Sequence, residues 1–475
     1  MVWDVVIIGA GTTGMPAALF AAERGAKVLV VEQAPYAGGT LHIAAGQISA
    51  AGTRLQAAKG IVDSADRHYE DILRITEGHT HKGFARLAAD HSADTLHWLL
   101  DLGWRPMDEH PVLFGKNPYS VPRTYWGKNA GVDLLRAIRP VFMAAVDDGR
   151  IALKLDHELV DLIQDQSGTV SGVVIRNNRG QTERVSATNI LLATGGFGSG
   201  HARFIEYTGF PCYSWAWSFN TGKGAELAIK AGSVMKHREH FIPRFAGVID
   251  PRDPSRVERV TETAPARRPP WEIYVSSEGK RFVAEDDDDI PHQRERLFRK
   301  VPDITFWAIY DEAIRRAAPP LFDRLSDAEV DARLNDHPSY VRADSLDDLA
   351  RRTRLPVATL NATIAEYNAA VASGRDPFGR KHMPKPIVAP PFYAIRHHGI
   401  GSTTIPGIAA DTNMRVLRAN GSAIPGLYAA GEILGMGLHS AGAFVGGMGL
   451  MPALTYGRLL GQRLLQWGKP RAAAE

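Results

Sequence analysis

The chain has almost no cysteine. Cys212 is the only one in 475 residues, which excludes an internal disulfide and any cysteine-built metal cluster. A charge excess is missing too. Lys and Arg total 55 against 52 for Asp and Glu, and the resulting net charge of +3 argues against a nucleic-acid partner. No apolar run approaches the roughly 20 residues of a membrane span, so no membrane insertion is expected. The opening residues, Met-Val-Trp-Asp-Val-Val-Ile-Ile-Gly, carry no basic segment and no small-residue cleavage site. A reducing, cytoplasmic setting is therefore expected. What is present, 44% hydrophobic and 23% charged residues, is the mixture of a folded globular protein with room for two or three domain-sized units.

Glycine is plentiful, at 46 residues, and its placement is informative. Val5 to Ile8 is a short buried-strand run, followed by Gly9, Gly11 and Gly14 in G-x-G-x-x-G spacing. A helix-compatible stretch, Met15 to Arg24, ends at Gly25; Val28 to Val31 is a second strand run, and Glu32 closes it. Strand, glycine turn, helix, strand and acid make a Rossmann-type dinucleotide-binding unit. The glycines allow a tight turn, backbone approach to a diphosphate, and close helix–strand packing. The helix N-terminus offers unpaired N–H groups to phosphate, and the Glu32 carboxylate accepts from a ribose. The small residues Gly38, Gly39 and Thr40, then Ala45 and Gly46, let backbone run beside an extended cofactor and favour FAD over NAD.

These segments resemble the flavoprotein subunits of fumarate reductases and succinate dehydrogenases, with 3-ketosteroid and tricarballylate dehydrogenases among their relatives. Further stretches carry the resemblance. Phe84 to Arg105 reads as an amphipathic helix, residues 151–186 as a β-hairpin or meander, and Thr188 to Gly198 as a buried strand entering a glycine turn with Thr194 and Gly195. Gly426-Leu427-Tyr428-Ala429-Ala430-Gly431-Glu432 is similar to a family motif whose Glu binds the ribityl chain. Gly446 to Arg458 reads as a glycine turn feeding a helix, where Met448, Gly449 and Leu450 would meet the flavin pyrimidine edge. The motifs sit at both ends of the chain. The expected fold is therefore α/β: a discontinuous FAD-binding domain over 1–235 and 390–475, with an inserted α+β capping domain over 236–389. His42 is out of register for a covalent link, so non-covalent FAD is expected. A single dinucleotide fingerprint gives no support to a second nicotinamide domain.

The resemblance implies hydride transfer between a substrate carbon and the flavin, with a carbonyl polariser and a proton-transfer group supplied by the protein. His397 and His398, in Arg396-His397-His398-Gly399, resemble the family's substrate-binding histidine turn; His439 resembles another histidine near the reacting edge. Each has an alternative reading, as a core histidine or a loop residue. Arg294 is a candidate proton donor or an ordinary surface residue. Among tyrosines 119, 125, 213, 274 and 393, Tyr125 and Tyr119 lie in an aromatic, proline-containing loop suited to a substrate wall.

Departures from the family pattern point to the substrate. Its carboxylate-clamping Arg is replaced by the apolar turn Ala441-Gly442-Ala443-Phe444-Val445. Where it carries a proton-donor Arg, this chain has Asp286-Asp287-Asp288-Asp289, with His292, Arg294 and Arg296 the first nearby bases. Four acids would repel a dicarboxylate. The aspartate run has no turning glycine and reads as a solvated loop, so no metal is expected. The expected activity is α,β-desaturation of a ketone or acid, cyclic or weakly charged. The alternative is ene-reduction with a separate electron donor. A flavin-bound RNA binder or sensor is disfavoured by the balanced charge. Substrate, electron acceptor and oligomeric state are left open by the residues.

Overall fold

The computed structural model describes residues 1–467, apart from Lys116, Trp215, 288–292, 323–324 and Ser402; side chains at 259–260 and 464–467 are also not described. Asp288, Asp289 and His292 thus lie outside the described residues. Backbone proximity groups the chain into two units. One holds Met1–Arg203, Ala216–Phe241 and Thr403–Glu475; the other holds Phe204–Trp215 and Ile242–Ser402.

The first unit is built on a parallel sheet. Strand β1 (Val2–Ile8) enters helix α1 (Gly14–Glu23) through the glycine turn, and β2 (Val28–Val31) follows. With β3 (Ile151–Lys154), β4 (Thr182–Leu192) and β5 (Ala423–Ala429) they run in the order β5-β4-β1-β2-β3, all parallel. Val5 pairs with Val28, and Leu427 with Ile190. β2 is buried along its whole length, as a β-branched run covered on both faces should be. The expected meander is present: His157–Gln164 and Val170–Asn177 form an antiparallel pair that continues into β4. The C-terminal helix α2 (Leu450–Trp467) lies against α1, and the small faces of two glycines permit it: a Cβ on Gly457 would stand 2.3 Å from the Thr13 carbonyl, and one on Gly461 2.4 Å from that of Ala17.

The second unit is antiparallel. Its central strand, Phe392–Gly401, pairs with Thr305–Asp311, Tyr340–Ala343 and Arg244–Asp250, and in parallel with Tyr213–Ser214. The boundary expected at residue 390 would give this strand to the FAD-binding domain, whereas backbone proximity groups it with the second unit, which runs to Ser402. The helices Leu346–Thr353 and Val357–Ser373 contribute Leu349, Leu360, Ile364 and Tyr367 to the unit's apolar core. Ile273–Val275 joins Thr305–Asp311, and a bridge links Val275 to Arg281. Among the described residues, no helix is long and apolar enough to cross a membrane.

Candidate active site

The C-terminal ends of β1, β2, β4 and β5 gather the predicted cofactor residues of the first unit. Gly9 follows β1 with φ +108°, and a Cβ there would lie 2.3 Å from the Ala193 carbonyl and 3.5 Å from Thr194 Cα. Only glycine fits that turn without moving backbone. A Cβ on Gly39 would lie 3.0 Å from Gly11 Cα, and Gly38 N–H donates to the Ala10 carbonyl at 2.9 Å, so the second glycine pair rests on the first turn. Gly431, φ +84°, would put a Cβ 2.4 Å from Thr13 Oγ1. Helix α1 starts without a side-chain cap, and the buried Thr12 hydroxyl has no partner. Together these features form a backbone cradle at a helix N-terminus, the shape an extended dinucleotide diphosphate requires. Ala45 and Gly46 run against the start of the helix Gly131–Asp147, where a Gly46 Cβ would meet the Ala130 carbonyl carbon at 2.3 Å. His42 stacks on Trp217 at 5.5 Å, near Ala37.

Two glutamates flank the cradle, Glu32 buried and Glu432 half-buried. Glu32 Oε2 accepts from Ala10 N–H at 2.7 Å and Oε1 from Ala34 N–H at 2.8 Å, which locks the glycine turn to the end of β2. Each oxygen keeps a lone pair for a ribose hydroxyl. Glu432 Oε1 accepts from Thr404 N–H at 2.9 Å and Thr404 Oγ1 at 3.2 Å, and Oε2 from Asn220 Nδ2 at 3.4 Å. Burial pushes both carboxyls above their usual range, opposed by these donors. Thr404 and Asn220 were not singled out from the sequence. The Asn220-Thr221-Gly222-Lys223-Gly224 turn before a helix was the available signal.

The C-terminal loop is anchored by a buried polar chain. Tyr119 Oη donates to the Gly446 carbonyl at 2.6 Å and lies 3.2 Å from Ser49 Oγ, which in turn lies 3.4 Å from His68 Nε2. A Cβ on Gly447 would stand 2.4 Å from Ser49 N. Met448 is buried, and Gly449 is followed by Leu450, which opens α2. Arg123, fully buried, binds Asp63 and Asp71, each at 2.7 Å, and stacks over Tyr119. Beside this loop stands an aromatic wall. Phe444, 37% exposed, packs edge-on against Phe114, which meets Trp126 at 5.2 Å, and Leu113 and Met107 are exposed nearby in the chain.

The expected catalytic residues divide sharply. Tyr125 is fully buried, and its hydroxyl is engaged with Thr53 Oγ1 at 2.7 Å, at the cap of the helix Arg54–Ala58. Arg294 is buried in the second unit; both terminal nitrogens donate to the Thr263 carbonyl at 3.1 Å, and its guanidinium covers the Phe245 ring. It is not a surface residue; its terminal nitrogens are engaged, and its Nε has no partner. His397 and His398 lie in the long central strand rather than in a turn. His397 is buried and stacked on Phe306 at 4.8 Å. Its Nδ1 donates to the Ile395 carbonyl at 2.9 Å, which leaves Nε2 a lone pair with no partner. In that tautomer Nε2 accepts a proton and cannot polarise a carbonyl. Burial holds the His397 pKa down to about 4. His398 packs edge-on against Tyr213 and is lowered to about 3, again mainly by burial. His439, in the first unit, is buried near Phe84 and Tyr456 with an unpartnered Nδ1, and burial with His237 and His81 nearby lowers it to about 3.

Residues 4–448 match the family described as FAD binding domain. The chain belongs to that family. It is 29% identical to a fumarate reductase (cytochrome) of Shewanella frigidimarina, over 98% of this chain and 77% of that protein. It is 25% identical to the 3-oxosteroid 1-dehydrogenase of Mycobacterium tuberculosis, over 96% of this chain and 97% of that one. The solved open conformation of a flavocytochrome c3 fumarate reductase superposes with a TM-score of 0.73 and 28% identity, covering 99% of this chain and 79% of that one. The protein is an FAD-dependent oxidoreductase of this group, and the cradle around Gly9, Gly431 and Glu32 fits the cofactor.

Proposed function

We propose that this enzyme desaturates a C–C bond next to a carbonyl in a weakly charged, ring-containing substrate. The observation carrying this reading is the apolar wall of Phe114, Trp126 and Phe444 at the Gly446–Leu450 loop, in a stretch from Gly435 to Leu450 that contains no arginine. A carboxylate leaving water is best met by a bidentate guanidinium, whereas a ring needs only apolar surface. Bound FAD supplies the hydride acceptor. The Gly9–Gly14 turn and the start of α1 would hold its diphosphate, Glu32 its ribose, Gly431 and Glu432 its ribityl chain, and Met448–Leu450 its pyrimidine edge, without a covalent link.

Among the five side chains expected to bind substrate or move the proton, the Tyr125 hydroxyl is held by Thr53 and the Arg294 terminal nitrogens by the Thr263 carbonyl, with Arg294 Nε left without a partner. His397 Nε2 and His439 Nδ1 are buried nitrogens without partners, and we put these forward as the proton-handling groups. A second reading, reduction of an activated C=C bond, is favoured by the likeness to the fumarate reductase. Anaerobic mixing of the oxidised enzyme with a panel of cyclic ketones tests the proposal. Bleaching of the flavin absorbance by a saturated ketone is expected. Re-oxidation of the reduced enzyme by fumarate alone, with no response to any ketone or enone, refutes it.

A further inference from the structure

The first unit contains a cluster of histidines that the chemistry above does not use. The short strand Met235–Lys236, paired with Gly407–Ile408, delivers His237 into a left-handed backbone turn at φ 65°, and a single 3₁₀ turn, Arg238–His240, follows. Residues three apart eclipse in a 3₁₀ turn. The His237 and His240 rings accordingly stack at 5.9 Å and 18°. Glu239 reaches the same point, with its carboxylate 3.5 Å from His240 Nε2. One ligand atom from each of the three residues lies within 4.8 Å of the others. His79 brings a further imidazole, 6.3 Å from that of His240. The segment carrying His79 is pinned in place, since Thr80 Oγ1 donates to the carbonyls of Leu438 and His439 at 3.0 Å each. His237 is pinned as well, because a Cβ on Gly437 would stand 2.6 Å from its own.

We propose that His237, Glu239 and His240 form a binding site for a divalent ion of the zinc class. Two imidazoles and a carboxylate are a donor set that suits zinc and its borderline neighbours better than calcium or magnesium, which prefer oxygen throughout. Ligand atoms about 2.0–2.1 Å from a tetrahedral ion stand roughly 3.4 Å apart, so side-chain rotations closing the present 4.8 Å spread complete the shell. Three protein ligands leave a fourth position, which water fills or His79 approaches. The backbone is already folded around the cluster, so the ion stiffens the 237–240 turn without having to organise it.

The test uses the chelator-treated, FAD-loaded enzyme, dialysed against Zn²⁺ alone and analysed for bound metal. One equivalent of Zn²⁺ is expected, with a thermal midpoint that rises with Zn²⁺ concentration, as binding to the folded state alone requires. Mn²⁺ binds more weakly, following the usual order for such donors. His240→Gln, a mild change at a partly exposed residue, and the double variant H237A/H240A each weaken Zn²⁺ binding at least tenfold, while flavin absorbance reports that the fold and the cofactor persist. Glu239→Gln weakens it less. Failure of the wild-type enzyme to hold one equivalent overturns the proposal. So does Zn²⁺ affinity unchanged in both histidine variants. Because the readout is bound metal, a failure here is distinct from a failure of the desaturation reading.

Discussion

Lowering the pH from 7.5 to 5.5 should destabilise this protein in a way its buried histidines determine. His68, His397 and His439 are 0%, 1% and 6% exposed, and burial depresses their pKa values to about 3, 4 and 3. The unfolded chain titrates them near 6.5, so below that pH the unfolded state binds protons that the folded state refuses. Stability is therefore full above about pH 6.5 and falls as the pH drops toward 4. For one such group the loss at pH 5.5 is RT ln(1 + 10), about 1.4 kcal/mol, and about 4 kcal/mol for the three. Glu32 and Glu432, raised by burial, work in the opposite sense, because their folded forms take up protons more readily. Single variants separate the two contributions. Urea unfolding at the two pH values should show His68→Gln and His439→Gln each removing about 1.4 kcal/mol of the pH dependence, or about one proton taken up on unfolding. If the difference between pH 7.5 and 5.5 is the same in wild type and both variants, these imidazoles are not held neutral by burial and the argument fails.

Glu32→Ala strands the N–H groups of Ala10 and Ala34. At about 1–3 kcal/mol for each orphaned donor, FAD retention on gel filtration should fall at least tenfold, and an equally yellow variant would refute the role. Arg123→Leu takes the cation from Asp63, which keeps only the Gln56 and Ser64 donors, and leaves Asp71 to Arg74 and Ser120; it should cost about 3 kcal/mol in the thermal or urea transition, and a near-neutral change would show the network to be dispensable. Phe444→Arg should lower kcat/KM for a ring ketone at least tenfold with FAD content intact, whereas unchanged kinetics would remove the aromatic wall from the substrate site. His397→Phe keeps a ring against Phe306 and removes Nε2; turnover should fall sharply at a thermal midpoint within a few degrees of wild type, and full turnover would exclude His397 from the chemistry.

The cofactor half of the molecule was legible because its signals are local or backbone-borne. Gly9 sits at φ +108° and a Cβ on Gly14 would strike the Gly9 carbonyl, constraints carried by the turn's own backbone, and Glu32 follows the very next strand. The distant Gly431-Glu432 segment was legible for the same reason: its strand is a short apolar run that joins the parallel sheet beside β4. Tyr125 and Arg294 were not legible. The partner of the Tyr125 hydroxyl is 72 residues away, and the Thr263 carbonyl that takes the Arg294 guanidinium is 31 residues away. No spacing rule anticipates that a polar head is already engaged. Thr404 and Asn220 illustrate the converse, small polar side chains that gain a role only because the fold brings Glu432 to them.

The two histidines of the central strand show what decides such cases. Read as a turn, Arg396-His397-His398-Gly399 presents imidazoles to a ligand. As strand residues, they have environments set by pairing. His397 lies opposite Phe306 in register, which puts the two rings face to face, and its own Ile395 carbonyl two residues back accepts from Nδ1. Those two contacts account for the ring's burial and fix its tautomer, and they leave Nε2 unaccounted for. A purely structural histidine would be replaceable by Phe at almost no cost in stability, because the stacking surface would remain and an unsatisfied buried nitrogen would be removed. That lone pair, in an otherwise apolar cluster of Phe245, Phe298 and Phe306, is the physical reason for proposing His397 as a proton acceptor.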